Sequence, residues 1–533
     1  MNRKTLVLPA VVGLLAPALA ACGGASDKGE GSKAIVVGTT DHFVATKEAP
    51  APFDPAHAYD VGAWNVLRQS LQTLMRVPRG GGEPVPEAAQ QCGFTDTQNT
   101  SYRCTLRSGL KFSDGKPLDA TDVKFSIDRV LKIQDKNGPV TLLANIDTVE
   151  TKGENEVVFH LKNPDATFPY KLATPAASLV DNAVYAPDKV RAGFRVDGSG
   201  PYTVEVETKG QTVTRTVFTK NPHYKGDVKF QNDKVEIRSF DDSAAMEKAL
   251  RGGKIDTVSR TLAPQQVNSM SASDDQSLKL TELPGLEIRY LGFNTADPVM
   301  KKKAVRQALA SVIDRTKLTS EVYGATAEPL YSVVPTTITG HKNSFFNKYP
   351  AADPKKAADL LRGAGVRTPL KLTLHYTTDH YGSVTKKEFE VLQQQLNSSK
   401  LFDVTLKGAS WSEFSPQQKA GKYAVYGMGW FPDFTDGDNY VAPFLDKDNF
   451  LNSPYANPEI RDALIPQSRR EAERGSAVPA FERIQDIVAD DVPILPLWQG
   501  KQYLVSRTDI TGTEWAVNFA ADLQLWELGR GVA

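Results

Sequence analysis

Between residues 370 and 430 short apolar runs alternate with amphipathic ones, and this alternation leaves the chain few folds to choose from. Residues 370–376 read as a strand, 386–396 as a helix, 402–406 as a strand, 412–419 as a helix and 423–426 as a strand. Strands spaced by helices of this size argue for parallel sheets covered by helices. A weaker series of the same kind runs through 235–240, 243–250 and 255–258, and residues 34–38 read as a first strand. At least two such sheets are expected. A chain of 533 residues is also too long for one ordinary core. The expected class is α/β.

Ligands gather at the carboxyl edge of such sheets. His380 follows the first strand of the main series, Trp411 the second, and Gly427-Met428-Gly429-Trp430-Phe431-Pro432-Asp433 the third. Gly427 and Gly429 are expected to let the backbone turn sharply. Trp430 then offers a flat apolar face and Asp433 a charge for a cation. Asp54, Tyr59 and Asp60 follow the first strand of the other sheet, so a cleft between two lobes is the natural site. Plainer roles stay open: core packing for Trp411, a surface aromatic for Tyr59, a solvated loop for His380 and Asp433.

The formal net charge is zero, and a chain lacking Arg3 and Lys4 is about two units negative. Neither suggests a nucleic-acid surface. No phosphate-cradling Gly-rich loop ending in Lys-Ser/Thr, no His-Glu-x-x-His and no Gly-x-Ser-x-Gly occurs. Seven histidines lack metal-ligand spacing. No cofactor, no metal and no enzymatic activity are expected. The alternative of a secreted hydrolase needs a nucleophile–base pair that the sequence does not offer.

Met1-Asn2-Arg3-Lys4 is basic and residues 5–18 are mostly apolar, too few to span a bilayer. Leu19-Ala20-Ala21-Cys22-Gly23 resembles the bacterial lipoprotein signal, which implies a signal peptide over 1–21, acylation of Cys22 and a flexible tether over 22–33. An ordinary signal cut at Ala-x-Ala is the alternative. Cys92 and Cys104 flank a polar turn, Thr95-Asp96-Thr97-Gln98-Asn99-Thr100, and are expected to form a disulfide across a hairpin.

From Tyr102 the resemblance to one family becomes specific. Leu106-Arg107, Gly109-Leu110-Lys111-Phe112, Asp114-Gly115 and Pro117 lead into a helix capped at Asp119-Ala120-Thr121-Asp122. This is similar to the signature of the extracellular solute-binding proteins of family 5, which serve ABC importers. Gly198-Ser199-Gly200-Pro201-Tyr202, Asn221-Pro222-His223-Tyr224-Lys225-Gly226, Tyr290-Leu291-Gly292-Phe293-Asn294-Thr295, Val305-Arg306-Gln307-Ala308-Leu309, Tyr455-Ala456-Asn457-Pro458-Glu459 and Val492-Pro493-Ile494-Leu495-Pro496-Leu497 keep the family's order. Lys225 departs from the family's Trp.

The resemblance implies a two-lobed, periplasmic-binding-protein-like fold with an extra subdomain on the N-terminal lobe (type II, or cluster C-like). Lobe I is expected over 34–55, 196–285 and 498–533, its accessory subdomain over 56–195, and lobe II over 286–497. It also implies that a solute, an oligopeptide first of all, binds between the lobes and passes to a permease. Asp433 would then receive the solute's α-amine, with Trp430, Gly429, Trp411, Tyr59, Asp60 and His380 around it. Dipeptide-binding members carry an Arg after the first strand of the large lobe, and residues 377–382 contain none. A monomer is expected. An oligosaccharide, an opine or a nickel complex are the alternative solutes.

Overall fold

Leu370–Thr377, Phe402–Ala409 and Val425–Trp430 form strands, with helices Thr385–Ser398 and Trp411–Lys419 between them. The first strand pairs in parallel with both of the others, so their carboxyl ends share one edge. The earlier series also forms: Ile35–Thr39 lies parallel between Lys234–Ser239 and Thr257–Ser259, with helix Ser243–Arg251 alongside. This computed structural model describes residues 33–531 except 260, 261 and 274. The expected signal segment 1–21, Cys22 and the tether up to residue 32 lie outside the described residues.

The third strand is a correction. It does not end at Tyr426 to turn at the glycines; it runs straight through them to Trp430. Those glycines answer to crowding. A Cβ on Gly427 would lie 2.1 Å from Phe389 Cζ, and one on Gly429 would lie 1.9 Å from the Arg289 guanidinium.

Nor do the two series form separate parallel sheets. Leu278–Phe293 and Ile494–Arg507, of 16 and 14 residues, pair antiparallel along most of their length. They join both series into one mixed sheet of 11 strands. Strands this long serve two large cores at once, with a smaller cluster around Met246, Leu250 and Val505 beside them. One core holds Ile288, Phe293, Leu374, Phe389, Val425 and Trp430. The other holds Ile35, Trp64, Leu106, Phe159, Phe218 and Leu525.

Within the second core, Ala89–Phe94, Ser101–Leu106, Glu156–Leu161 and Ile146–Lys152 make an antiparallel sheet of their own, backed by helix Ala120–Ile133. Asp119 caps that helix and Asp122 returns the bond to the Asp119 N–H, a reciprocal cap that stops the chain entering the helix elsewhere. Cys92 and Cys104 face each other in the first hairpin of this sheet and are joined by a disulfide. Among the described residues, no helix is long and apolar enough to cross a membrane.

Candidate functional site

The carboxyl end of Val425–Trp430 delivers Asp433 to the seam between the two cores. From the other side comes Tyr59, on the loop before helix Val61–Ser70. The Tyr59 hydroxyl donates to Asp433 Oδ2 at 3.1 Å. Asn439 fixes the carboxylate from its own side: its Nδ2 donates to the same oxygen at 3.1 Å, and its Oδ1 accepts the Asp433 N–H at 2.8 Å. The same Oδ1 accepts the Trp430 indole N–H at 3.2 Å.

Aromatic rings close the surroundings. Phe450 meets Tyr59 edge-on at 5.9 Å and Trp430 at 5.5 Å, and Tyr59 lies 5.5 Å from Trp64. In such surroundings an ionised carboxylate is penalised, and burial pushes the Asp433 carboxyl up to about 6. The hydrogen bonds from Asn439 and Tyr59 and the charge of Arg68 only partly offset this. Burial, and then the charge of Asp433, also hold the Tyr59 hydroxyl well above its ordinary range. Arg68 itself is paired with Asp522 at 2.9 Å. Asp433 has no ion pair among the described residues. Hydrogen-bond donors hold this carboxylate, and the cation that acts on it, Arg68, is engaged by Asp522 rather than paired with it.

A family model described as bacterial extracellular solute-binding proteins, family 5 Middle, matches residues 83–452. The chain belongs to this family. It is 26% identical over 489 residues to the probable D,D-dipeptide-binding periplasmic protein DdpA of Escherichia coli K12, covering 89% of this chain and 91% of that one. It is 24% identical over 509 residues to the oligopeptide-binding protein OppA of Bacillus subtilis 168, covering 90% and 91%. The dipeptide-binding protein from Pseudoalteromonas sp. SM9913, solved in complex with Met-Leu, superposes with a TM-score of 0.79 at 20% identity over 93% of this chain and all of that one. The fold is therefore the mixed α/β fold of periplasmic peptide-binding proteins.

On this family-5 scaffold the remaining candidates form a second group. His380 and Trp411 stack at 3.9 Å with their planes 6° apart, and Tyr381 meets Trp411 edge-on at 5.7 Å. Asp379 accepts the Trp411 N–H at 2.7 Å and so fixes the start of that helix. The Tyr381 hydroxyl donates to the Gly429 carbonyl at 3.4 Å, which ties this group to the strand that ends in Trp430. Two of the residues after the first strand carry structural duties. The Asp60 side chain caps helix Val61–Ser70 by accepting the Ala63 N–H at 2.8 Å. Asp54 is buried in a two-pronged pair with Arg129 at 2.8 and 2.6 Å.

Sequence reasoning missed Asn439, Phe450 and Arg289. Asn439 lies in the short 3-10 helix Gly437–Tyr440 and Phe450 in a turn, both beyond any periodic run. Arg289 comes from the long central strand, where it pairs with Gly429. Its guanidinium lies 4.1 Å from the Tyr381 ring centre, 5.1 Å from Trp498 and 5.4 Å from Phe431, and is paired with Glu287. The stretch 377–382, which lacks an arginine, thus has one packed beneath its Tyr381. Gly429, opposite a charged side chain in the central strand, was the available signal.

Proposed function

We propose that the chain captures an amine-bearing solute, an oligopeptide first of all, between its two cores and hands it to the permease of an ABC importer. The observation that carries this reading is the carboxylate of Asp433, without an ion-pair partner among the described residues and held by Tyr59 from one core and Asn439 from the other. An ammonium brought into a dry site needs a fixed negative partner, and this one is already oriented. The similarity to the probable D,D-dipeptide-binding protein DdpA and the oligopeptide-binding protein OppA supports the same solute class. Closure would bring the lobes, divided as 34–285 with 498–533 against 286–497, onto the solute, and only a solute that binds the closed form better can drive it. The role is binding rather than catalysis. A sugar reading, which needs open indole faces, is less well supported. Trp430 is only 7% exposed, and one face of Trp411 is covered by His380.

The chain would act as a monomer outside the cytoplasm, tethered by lipid on Cys22. Cys22→Ala should shift it from the membrane fraction to the medium; full retention after a high-salt wash would contradict the tether. Mass spectrometry of small molecules that co-purify with the chain tests the solute class. Peptides with free amino ends are expected, and a sugar or metal complex in their place would contradict the reading.

A further inference from the structure

The two cores also meet through backbone contacts made by residues other than those around Asp433. The N–H of Ala166 donates to the Arg469 carbonyl at 2.8 Å, and Asn99 Nδ2 donates to the Arg470 carbonyl at 2.9 Å. Ala166 and Asn99 belong to the subdomain with its own antiparallel sheet. Arg469 and Arg470 end helix Ile465–Arg470, on the other core.

Both sides of this contact are built rigidly. Asn99 sits in the turn of the disulfide-linked hairpin with φ 55°, in the left-handed region, and Asp96 braces that turn by accepting the N–H groups of Gln98 and Thr100 at 2.9 and 3.1 Å. Asp165, next to Ala166, is paired with Lys171 at 2.6 Å. Burial would raise the Asp165 carboxyl; the Lys171 and Arg469 charges outweigh it and hold it low. On the other side Arg469 is paired with Asp438 and Asp446, both at 3.0 Å. Arg474 grips Asp436 at 2.7 and 2.8 Å and donates to the Ser468 carbonyl.

Asp436 and Asp438 belong to the loop that carries Asp433. Phe434 of that loop is buried in the core of the hairpin side, its ring 6.0 Å from Tyr170. The Asp433 carboxylate and this second contact are therefore fixed to one stretch of chain, 433–438, which cannot shift without disturbing both.

We infer that Asn99 and Arg469 are positioning residues for solute capture: the hairpin subdomain closes onto segment 469–470 as a clasp, and the clasp sets how long the closed form lasts. This rests on the capture reading above. Its chemistry is that of backbone carbonyls meeting fixed N–H donors, so it works on any solute the cleft accepts.

The test is Asn99→Gly, which removes the donor while suiting the left-handed backbone. In hydrogen-exchange measurements on the full chain, the Ala166 amide should be protected, and the variant should speed its exchange about three- to tenfold, the worth of one hydrogen bond. Amides of the central strands at Tyr290 and Gly429 should be unchanged. Release of a bound pool of unmodified tri- to pentapeptides should quicken by the same factor, at an unchanged melting temperature. A purely structural Asn99 would lower the melting temperature and leave release alone. An Ala166 amide as fast as an exposed one in the parent chain would overturn the clasp, as would unchanged exchange in the variant. Faster exchange with unchanged release would overturn its part in capture. If the pool does not bind the parent chain at all, the peptide reading fails, and the exchange arm still decides the clasp.

Discussion

Asn439 holds Asp433 at both ends, accepting its backbone N–H at 2.8 Å and donating to its carboxylate at 3.1 Å. One side chain thereby sets both the position and the orientation of the carboxylate that accepts from Tyr59. The same amide oxygen steadies Trp430. A site built on a loop, which would otherwise be mobile, gains a fixed geometry from this one residue.

Asn439→Ala should leave the buried indole N–H of Trp430 and the Asp433 backbone without partners. The expected loss is about 1–3 kcal/mol of stability, the cost of unsatisfied buried groups. Urea unfolding followed by Trp fluorescence measures it, and solute affinity should fall with it. A midpoint equal to the parent's would show that water replaces the amide at no cost.

Affinity for an amine should depend on pH. The solute-free Asp433 carboxyl titrates at about 6. An ammonium against it lowers that value, so binding expels a proton whenever the pH lies below 6 and above the bound-state value. Affinity should be full at about pH 7 and fall roughly tenfold per unit below about pH 6. For the solute-free fold the sign is opposite in sense. A raised carboxyl binds more protons when folded, so its contribution to stability is lost as pH rises through 6. Calorimetry in buffers of different ionisation heat reads the proton directly; a flat affinity from about pH 5 to about pH 7 would contradict the role given to Asp433.

Gly427→Ala should destabilise the fold by about 1–3 kcal/mol, the usual range for overpacking. The new Cβ would lie 2.1 Å from Phe389 Cζ, and that ring is stacked on Tyr376 at 4.8 Å with little room to give. A denaturation midpoint within error of the parent's would refute the crowding account of this glycine.

The case of Gly427 shows where sequence was legible and where it was not. Helix and strand periodicity located Leu370–Thr377, Thr385–Ser398 and Phe402–Ala409 to within a few residues, because each buries one face against the core. Two glycines one residue apart carry no such signal: a turn and a crowded strand look alike until the neighbours that crowd them, Phe389 and Arg289, are known. The separate sheets were expected for a similar reason, since only pairing over 278–293 and 494–507 reveals that two long strands join them. Asp433 and Trp430 were legible from the end of a strand, although that strand proves to include Trp430; Tyr59, well past the end of Ile35–Thr39, was placed by the family resemblance. Asn439, Phe450 and Arg289 reach the site through tertiary packing, which leaves no local pattern.

The disulfide between Cys92 and Cys104 closes a hairpin of sequence separation 12. Reducing it should cost about 3 kcal/mol in the chain-entropy account. Mass analysis of unreduced protein after alkylation should find both thiols blocked. Alkylated Cys92 and Cys104 in freshly isolated protein would contradict the bond.

The central claim is that Asp433 is the counter-charge of the solute's amine. Titration calorimetry of one peptide, with its amino end free and N-acetylated, against the parent chain and Asp433→Asn tests it most directly. The account predicts that the free-amine peptide binds the parent best, and that acetylation or Asp433→Asn each weakens binding by about 2–5 kcal/mol, the range for removing one partner of a buried charge pair. Equal binding of both peptides to both proteins would contradict it.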